Sequence, residues 1–270
     1  MYKRQNLRGS GFDDVLTGDG NNNMIEGGLG NDVLDGGANG IGTDIVSYAH
    51  AADYVTVDLR STVQQDTHAA GLDTISNFEA VLGSAHNDIL TGGGSNILEG
   101  GAGNDHLIGQ PGQDVTASYE HATAGVTVDL GITVQQFTRG AGSDTLTDIA
   151  NLAGSHFNDV LIGNAHDNKF LGNGGNDTFV FKTEDGVGHD TIGDFASGQD
   201  KIELDYVAFD PSGSNDFNAW YGTHVTQQNN GDLLIDLDLN GHNTILLKNA
   251  SFGGLSANDF ILHPGGGNTA

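Results

Sequence analysis

One nine-residue motif recurs along this chain and sets tight limits on its fold. Its form is Gly-Gly-x-Gly-x-Asp-x-U-x, where U is a large apolar residue, and its copies fall in three blocks, at residues 9–46, 83–117 and 154–182. The glycines permit a tight turn with positive φ, and the x-U-x that follows is short enough to be a single strand. Repeated units of this kind predict a solenoid in which each turn buries its apolar residue only against neighbouring turns.

The carboxylates of the blocks are spaced as stacked turns require. If two nine-residue units form one coil, turns on the same side recur at every second unit. Asp14 with Asp32 and Asp159 with Asp177 are separated by two full units, and Asp88 with Asp105 is one position shorter. Adjacent rungs lie about 4.8 Å apart and calcium–oxygen distances are about 2.3–2.6 Å, so a calcium ion fits between two stacked turns. Calcium is expected rather than magnesium, because magnesium requires a smaller octahedron and holds its water.

The predicted calcium ligands are the aspartates and the glycine-turn carbonyls of the three blocks. They are Asp14, Gly27, Gly28, Gly30, Asp32, Asp44, Asp88, Gly100, Gly101, Gly103, Asp105, Gly112, Asp114, Asp159, Gly172, Gly174, Gly175 and Asp177. In intervening turns Asn23, Asn96 and Asn168 stand where the motif has Asp, and these turns are expected to bind calcium loosely or not at all, because a neutral amide is a weaker ligand. The U residues are expected to fill a thin core: Leu16, Ile25, Leu34, Leu90, Leu98, Leu107, Leu161, Phe170 and Phe179.

The composition of the 270-residue chain indicates cations as partners. Its formal net charge is −27, and so acidic a chain repels itself unless positive charge joins it. No basic face is present, so nucleic acid is not expected as a partner. The chain has no cysteine, which excludes disulfides and thiolate metal sites. No apolar run approaches the roughly 18 residues that span a bilayer and no N-terminal signal peptide is recognisable, so membrane insertion is not expected.

The pattern as a whole predicts an all-β fold, a parallel β-roll or β-helix solenoid over residues 6–182 with a β-rich cap over residues 183–270. Two spacers, residues 47–82 and 118–153, separate the blocks and repeat each other, so that Ser47-Tyr48 recurs as Ser118-Tyr119. Their apolar residues alternate with polar ones, which predicts strands that continue the coil. In the cap, Asn240-Gly241 between two apolar runs predicts a hairpin. A flexible Gly/Asp-rich linker is the alternative, but it does not explain the regular apolar position.

The first five residues, Met1–Gln5, differ from the rest of the chain, with two basic residues and no glycine. They resemble the translation of a sequencing-library adapter, and we interpret them as an assembly scar that is excluded from the prediction of the fold. The natural chain is then expected to begin near Asn6, within a longer parent protein. The alternative is a genuine start.

At its nonapeptides the chain resembles the RTX family of hemolysin-type calcium-binding repeats. The segment from Gly174 to Leu204 resembles the start of the C-terminal domain of serralysin-type metallopeptidases. The resemblance implies a parallel β-roll and export by type I secretion machinery, guided by an uncleaved signal within residues 183–270. Asn258–Leu262 matches the acidic and apolar ending of such signals, whereas His263–Ala270 departs from it. Three aspartates of this part are candidates for one more calcium ligand, with sheet-edge negative charge as the alternative: Asp190, Asp194 and Asp200.

The chain contains neither H-E-x-x-H nor G-x-S-x-G, so no catalytic motif is present. The leading hypothesis is a non-catalytic, monomeric calcium-binding module, the C-terminal part of a secreted bacterial protein that folds on calcium binding outside the cell. One alternative is the C-terminal domain of a secreted hydrolase, such as a serralysin-like metallopeptidase, a lipase or a polysaccharide-modifying enzyme. The other is a repeat segment of a calcium-dependent adhesin.

Overall fold

The computed structural model describes residues 5–37, 42–182, 186–207, 217–250 and 253–264. Within them nearly all regular structure is β-strand, and no α-helix is long and apolar enough to cross a membrane. The chain forms two compact units, one of Met1–Thr123 with Ile132–Ala150 and the other of Ala124–Gly131 with Asn151–Ala270. The last part of the predicted secretion-signal region, 265–270, lies outside the described residues.

Most strands are three or four residues long, as expected for x-U-x segments between turns. In chain order they are β1 (Gln5–Arg8), β2 (Val15–Thr17), β3 (Asn23–Glu26), β4 (Val33–Asp35), β5 (Ile45–Ser47), β6 (Thr56–Asp58), β7 (Gln65–Asp66), β8 (Leu72–Ser76), β9 (Ala80–Leu82), β10 (Ile89–Thr91), β11 (Ile97–Glu99), β12 (His106–Ile108), β13 (Thr116–Ser118), β14 (Thr127–Asp129), β15 (Gln136–Phe137), β16 (Ser143–Thr147), β17 (Asn151–Ala153), β18 (Val160–Ile162), β19 (Lys169–Leu171), β20 (Thr178–Phe181), β21 (His189–Ile192), β22 (Lys201–Val207), β23 (Val225–Gln227), β24 (Leu233–Asp236), β25 (Thr244–Leu247) and β26 (Phe260–Pro264). The α-helix α1 is Phe217–His224, and a 3-10 helix covers Ala257–Asp259.

The first unit is a parallel β-roll, as the sequence predicts. One sheet has the strand order β1-β3-β5-β9-β11-β13, and two others have the orders β2-β4-β8-β7 and β6-β10-β12-β16-β15. The pairs are parallel except for β7 with β8 and β15 with β16. In the first block, consecutive strands alternate between sheets, so two nonapeptides make one coil of the roll.

The second unit has the same parallel architecture in two sheets. Their strand orders are β17-β19-β21-β25-β24-β23 and β14-β18-β20-β22-β26. Parallel pairing continues past residue 182, because β20 pairs with β22 and β22 with β26. The predicted hairpin around Asn240-Gly241 is confirmed, since β24 and β25 pair antiparallel from Leu233 with Leu247 to Asp236 with Thr244.

The core is formed by the U residues, which point inward from successive rungs. Eight of the nine predicted core residues are buried: Ile25, Leu34, Leu90, Leu98, Leu107, Leu161, Phe170 and Phe179. Leu16 is the exception and is half-buried, because its strand β2 lies at the edge of its sheet and has a neighbour on one side. The U position therefore identifies the core wherever a rung has neighbours on both sides.

Each spacer contains a strand that continues the parallel roll and a short strand that pairs antiparallel. Strands β6 and β14 are parallel rungs, paired with β10 and β18, as the alternating sequence predicts. Each spacer then adds a two-residue antiparallel strand, β7 or β15, that was not predicted from the sequence. The reversal follows from tight turns in which Thr67 N–H donates to Gly71 O at 2.8 Å and Thr138 N–H donates to Gly142 O at 2.8 Å.

Candidate metal centre

Aspartates of successive rungs form a stack in the first unit. Asp14 and Asp32 directly precede β2 and β4, and Asp73 lies in the neighbouring strand β8. Oδ1 of Asp32 accepts a hydrogen bond from the backbone N–H of Asp14 at 2.9 Å, and Oδ1 of Asp73 accepts one from Asp32 at 3.0 Å. Each carboxylate is bound to the backbone of the preceding rung, so the parallel register itself brings the acidic side chains together.

Two further stacks have the same geometry. They are Asp88, Asp105 and Asp144, with N–H to Oδ1 distances of 2.8 and 3.0 Å, and Asp159, Asp177 and Asp200, with distances of 2.9 and 3.0 Å. We call these three sets the aspartate stacks and their members the first, middle and third aspartates. The pairs predicted from the spacing of the motif are the first and middle aspartates of each stack.

The first aspartate of each stack has its second oxygen satisfied by the protein. Oδ2 of Asp14 accepts hydrogen bonds from Ser10 N at 2.6 Å and Ser10 Oγ at 2.9 Å. Ser84 and Ser155 donate from backbone N–H to the first aspartates of the other stacks at 2.5 and 2.6 Å. These serines were not predicted from the sequence, although Gly-Ser-x-x-(Asn/Asp)-Asp opens all three blocks, at residues 9–14, 83–88 and 154–159.

The third aspartates are also satisfied by protein donors. Oδ2 of Asp73 accepts hydrogen bonds from Tyr48 Oη and Thr67 Oγ1, both at 3.1 Å. Thr138 Oγ1 donates to Oδ2 of Asp144 at 3.0 Å, and Ala196 N–H donates to Oδ2 of Asp200 at 2.7 Å. Each stack is therefore closed at both ends by hydrogen bonds to its outer carboxylates.

Asp73 and Asp144 were not predicted as site residues. The signal for them was present, because both spacers keep the Gly-x-Asp-x-U end of the motif, as Gly71-Leu-Asp73-Thr-Ile75 and Gly142-Ser-Asp144-Thr-Leu146. The third aspartate of the second unit, Asp200, was a candidate from the sequence. It joins its stack as the neighbour of Asp177.

The middle aspartates of the first two stacks differ, because their second oxygens face no donor. Oδ2 of Asp32 and Oδ2 of Asp105 are buried and have no hydrogen-bond partner. Four residues earlier, where the first aspartates have serine, these turns have Gly28 and Gly101 with φ of 102° and 96°. That left-handed backbone does not present its N–H to the carboxylate. A buried, unpaired carboxylate oxygen is costly unless a cation joins it.

The carboxylates pack directly against the glycines of these turns. A Cβ added to Gly27 would lie 2.1 Å from Asp32 Oδ2, and one added to Gly100 would lie 2.0 Å from Asp105 Oδ2. A Cβ added to Gly83 would lie 2.4 Å from the carbonyl oxygen of Gly100 and 2.5 Å from Asp88 Oδ2. Carboxylate and carbonyl oxygens of two rungs thus approach the same glycine backbone, and a side chain at these positions would displace them.

The donor set fits calcium. Among the described residues, no group of three or more His, Asp or Glu side chains is placed to hold a metal ion. A cation at a middle aspartate would therefore depend on backbone carbonyls for most of its ligands, and the glycine turns supply them. Carboxylate and carbonyl oxygens are the hard ligands that calcium takes in sets of six to eight, in flexible geometry.

Other predicted ligands lie outside the aspartate stacks. Asp44 is on a second row of turns, where its Oδ1 accepts hydrogen bonds from Asn23 N at 2.7 Å and Asn23 Nδ2 at 2.8 Å. Gly112 and Asp114 lie in an exposed turn. Asp190 is on the second row of the second unit and resembles a middle aspartate, because its Oδ2 is buried without a hydrogen-bond partner.

The pKa values of the middle aspartates reflect this environment. Burial raises the pKa of Asp105 to about 8, and the neighbouring charges of Asp144 and Asp88 add to the rise. Burial likewise raises the pKa of Asp177 to about 7, and the pKa of Asp32 shifts upward for the same reason. These carboxylates therefore resist ionisation as long as no positive charge is present.

Without metal, the folded protein is expected to lose stability as the pH rises from about 4 to about 8. The folded state keeps a proton on Asp105 up to about pH 8 and on Asp177 up to about pH 7, whereas unfolded aspartates lose theirs near pH ~4. Because the folded state binds more protons in this window, raising the pH favours unfolding. The far-UV circular dichroism of dialysed, metal-free protein, followed from pH ~4 to pH ~8, measures this loss of the folded state. In millimolar calcium the sign is expected to reverse, since protons compete with the ion, and metal-free protein that gains stability toward pH ~8 would contradict these pKa shifts.

Comparison with known families agrees with this chemistry. Residues 75–264 match the family model described as Peptidase M10 serralysin C terminal, and residues 7–39 match the RTX calcium-binding nonapeptide repeat (4 copies). RTX repeats imply calcium binding, and both domains are non-catalytic and typical of secreted bacterial proteins.

One solved structure to which the chain is similar is that of the extracellular lipase LipA from Serratia marcescens. The identity is 19% and the TM-score is 0.23, and the match covers 97% of this chain and 40% of that chain. The chain thus spans about two fifths of the length of that lipase. No curated protein sequence matches the chain.

Proposed function

The chain belongs to the serralysin C-terminal family of the M10 peptidases, and we propose that it is a non-catalytic calcium-binding module that folds when it meets extracellular calcium. The observation that carries this proposal is the pair of buried carboxylate oxygens without a partner, Oδ2 of Asp32 and Oδ2 of Asp105. The surrounding turns offer carbonyl oxygens, and a calcium ion is the partner that this combination favours.

The residues that would hold the ions come from two turns of each stack. In the first stack they are the carboxylate of Asp32 and the carbonyls of the turns at residues 9–14 and 27–32, and the second stack has the corresponding turns at 83–88 and 100–105. Bound calcium would supply the positive charge that the stacked carboxylates lack. The chain's own residues hold the turns in register through the bonds from backbone N–H to Oδ1.

The same features support a folding switch coupled to export. In calcium-poor cytosol the carboxylates of the stacks repel one another, and the chain stays unfolded and competent for a type I channel. Outside the cell, sites with dissociation constants of about 10⁻⁴–10⁻³ M load, and each bound ion stabilises the folded state by mass action. The export signal belongs to residues 183–270 in this proposal, and the folded module is a monomer.

For the parent protein we propose a secreted hydrolase rather than an adhesin. The match over residues 75–264 is to a domain named from a peptidase family, and this supports the hydrolase. A longer genomic read tests the choice. H-E-x-x-H or G-x-S-x-G upstream would support a hydrolase, whereas many further blocks and spacers upstream would support the adhesin.

Calcium titration by equilibrium dialysis tests the proposed function. The protein is expected to bind at least one ion per aspartate stack at millimolar calcium. Gly27→Ala is expected to lose one of these ions, because the new Cβ would lie 2.1 Å from Asp32 Oδ2. Gly11→Ala in the preceding rung is the matched control, since a Cβ there has no atom within 4 Å, and it should bind as many ions as the unmodified protein.

Two results would contradict the proposal. One is an unmodified protein that binds no calcium at millimolar concentration. The other is equal loss of ions in Gly27→Ala and Gly11→Ala, which would mean that the space beside Asp32 has no role.

A further inference from the structure

The first block carries a second row of turns that differs from the first row in its acidic residue. The rows are related by one nine-residue unit, so that Gly9, Asp14 and Gly27 correspond to Gly18, Asn23 and Gly36. Asn23 is completely buried, whereas Asp14 is half-buried. The second row therefore buries a neutral amide where the motif has a carboxylate.

The amide nitrogen of Asn23 occupies the position of a carboxylate oxygen. A Cβ added to Gly9 would lie 2.2 Å from the carbonyl oxygen of Gly27 and 2.7 Å from Asp14 Oδ2. A Cβ added to Gly18 would lie 2.3 Å from the carbonyl oxygen of Gly36 and 2.6 Å from Asn23 Nδ2. The two turns thus place equivalent atoms at equivalent positions. The difference is that the second row has an amide nitrogen, a donor, where the first row has a carboxylate oxygen, an acceptor.

Four oxygens surround this nitrogen. Asn23 Nδ2 donates to the carbonyl oxygens of Asp19 at 3.0 Å, Asn21 at 2.5 Å and Gly36 at 3.0 Å, and to Asp44 Oδ1 at 2.8 Å. The orientation of the amide is fixed by its other end, because Asn23 Oδ1 accepts the backbone N–H of Asp19 at 3.3 Å. Three carbonyls and one carboxylate around a single point form the kind of oxygen set that a hard cation attracts.

We propose that Nδ2 of Asn23 takes the place of a calcium ion in the second row, so that this turn closes without metal. The inference rests on the proposed function, since it assumes that the equivalent turns of the first row bind calcium. The two N–H groups carry partial positive charge and can share four acceptors in three-centre bonds. Asp44, predicted from the sequence as a calcium ligand, then accepts a hydrogen bond from this amide instead of binding an ion.

A turn of the second block repeats the arrangement more loosely. Asn96 Nδ2 donates to the carbonyl oxygens of Phe78 at 3.4 Å and Glu79 at 3.2 Å, and Asn96 Oδ1 accepts the N–H of Gly93 at 2.9 Å. The first unit therefore has a row of turns that depends on calcium and a row that is held by its own amides. The second row can set the register of the roll before any ion binds.

Calcium counting with Asn23→Asp tests the inference. The substitution removes the donor and places a second carboxylate beside Asp44, so we expect one additional bound calcium per chain and a lower melting temperature without calcium. Asn229→Asp is the matched control, because it makes the same change and adds the same charge at an exposed position outside these turns. We expect the ion number of Asn229→Asp to be unchanged. Asn96→Asp, at the looser turn, is the second variant, in case Asn23→Asp does not fold without the amide.

The outcomes separate this inference from the proposed function. An unmodified protein that binds no calcium overturns the function itself. An unmodified protein that binds calcium, with no gain in Asn23→Asp that is folded in calcium, overturns the role of the amide alone. That role is also overturned if Asn23→Asp does not fold and Asn96→Asp gains no ion, or if Asn229→Asp gains an ion as readily as Asn23→Asp.

Discussion

Removing calcium is expected to abolish most of the far-UV circular dichroism signal of β-structure, and returning millimolar calcium is expected to restore it. The reason is that two middle aspartates, Asp32 and Asp105, each bury an unpaired carboxylate oxygen between two other carboxylates, in a chain of net charge −27. The thin core formed by one U residue per rung offers limited compensation, because small apolar contact areas stabilise weakly.

The size of the effect follows from mass action. In 1 mM calcium, an ion at a site with a dissociation constant of about 10⁻⁴ M stabilises the folded state by about 1.4 kcal/mol, so three ions contribute about 4 kcal/mol. Domains have free energies of unfolding of about 5–15 kcal/mol, so loss of the ions removes a large part of the total. Calcium thus decides between the folded and unfolded states.

Magnesium at the same concentration is the control for this experiment. It screens charge as calcium does but demands a small octahedron, so we expect it to restore little β-structure. Two observations would contradict the expectation. One is a β-rich spectrum in chelator that millimolar calcium leaves unchanged, and the other is full recovery in magnesium.

Asp105→Asn is expected to change stability in opposite directions with and without calcium. Without calcium at neutral pH, Asp105 of the folded protein keeps its proton, because burial raises its pKa to about 8. In the unfolded chain the pKa of an aspartate is ~3.9, so folding must take up a proton at a cost in free energy. Asparagine removes this cost, which is on the order of 2–4 kcal/mol. With 1 mM calcium the variant loses an ion, which costs about 1.4 kcal/mol for a site with a dissociation constant of about 10⁻⁴ M. The far-UV circular dichroism of the metal-free variant and of the metal-free unmodified chain measures the first effect, and urea denaturation in calcium measures the second.

Asp114→Asn is the control for this pair of measurements. The motif predicts Asp114 as a ligand too, but its turn is exposed, so the change is expected to stay within about 0.5 kcal/mol in both conditions. A calcium-free Asp105→Asn protein that is less stable than the unmodified chain would show that the buried carboxylate is not costly. Equal effects of the two substitutions in calcium would remove Asp105 from the ligand set.

Much of the fold and part of the site could be predicted because both follow from a period. The x-U-x strands stack at one register, so Leu34, Leu107 and Phe179 could be placed in the core from their position in the motif. The same period predicts that Asp14 is adjacent to Asp32, and the hydrogen bond between their rungs confirms it. Counting residues is reliable here because no insertion falls between the two turns.

The third aspartates could not be placed by counting. Asp73 lies 41 residues after Asp32 and Asp144 lies 39 residues after Asp105, because a spacer with its own hairpin intervenes. Middle and first aspartates also could not be told apart from the motif alone. That difference depends on whether the backbone four residues earlier is a serine that donates its N–H or a left-handed glycine such as Gly28.

The closed ends of each aspartate stack bear on how such a protein can grow by gene duplication. Serine donors finish one end of the stack, and tyrosine, threonine or backbone donors finish the other. The first aspartates Asp88 and Asp159 also accept the backbone N–H of Val55 and Val126 from the spacer before them, so successive copies are joined through one carboxylate. A duplicated segment of block and spacer, such as residues 83–153, would bring its own stack together with Val126, the donor to the stack that follows. The number of copies can then change by one block and spacer at a time, and each added copy binds the same number of calcium ions.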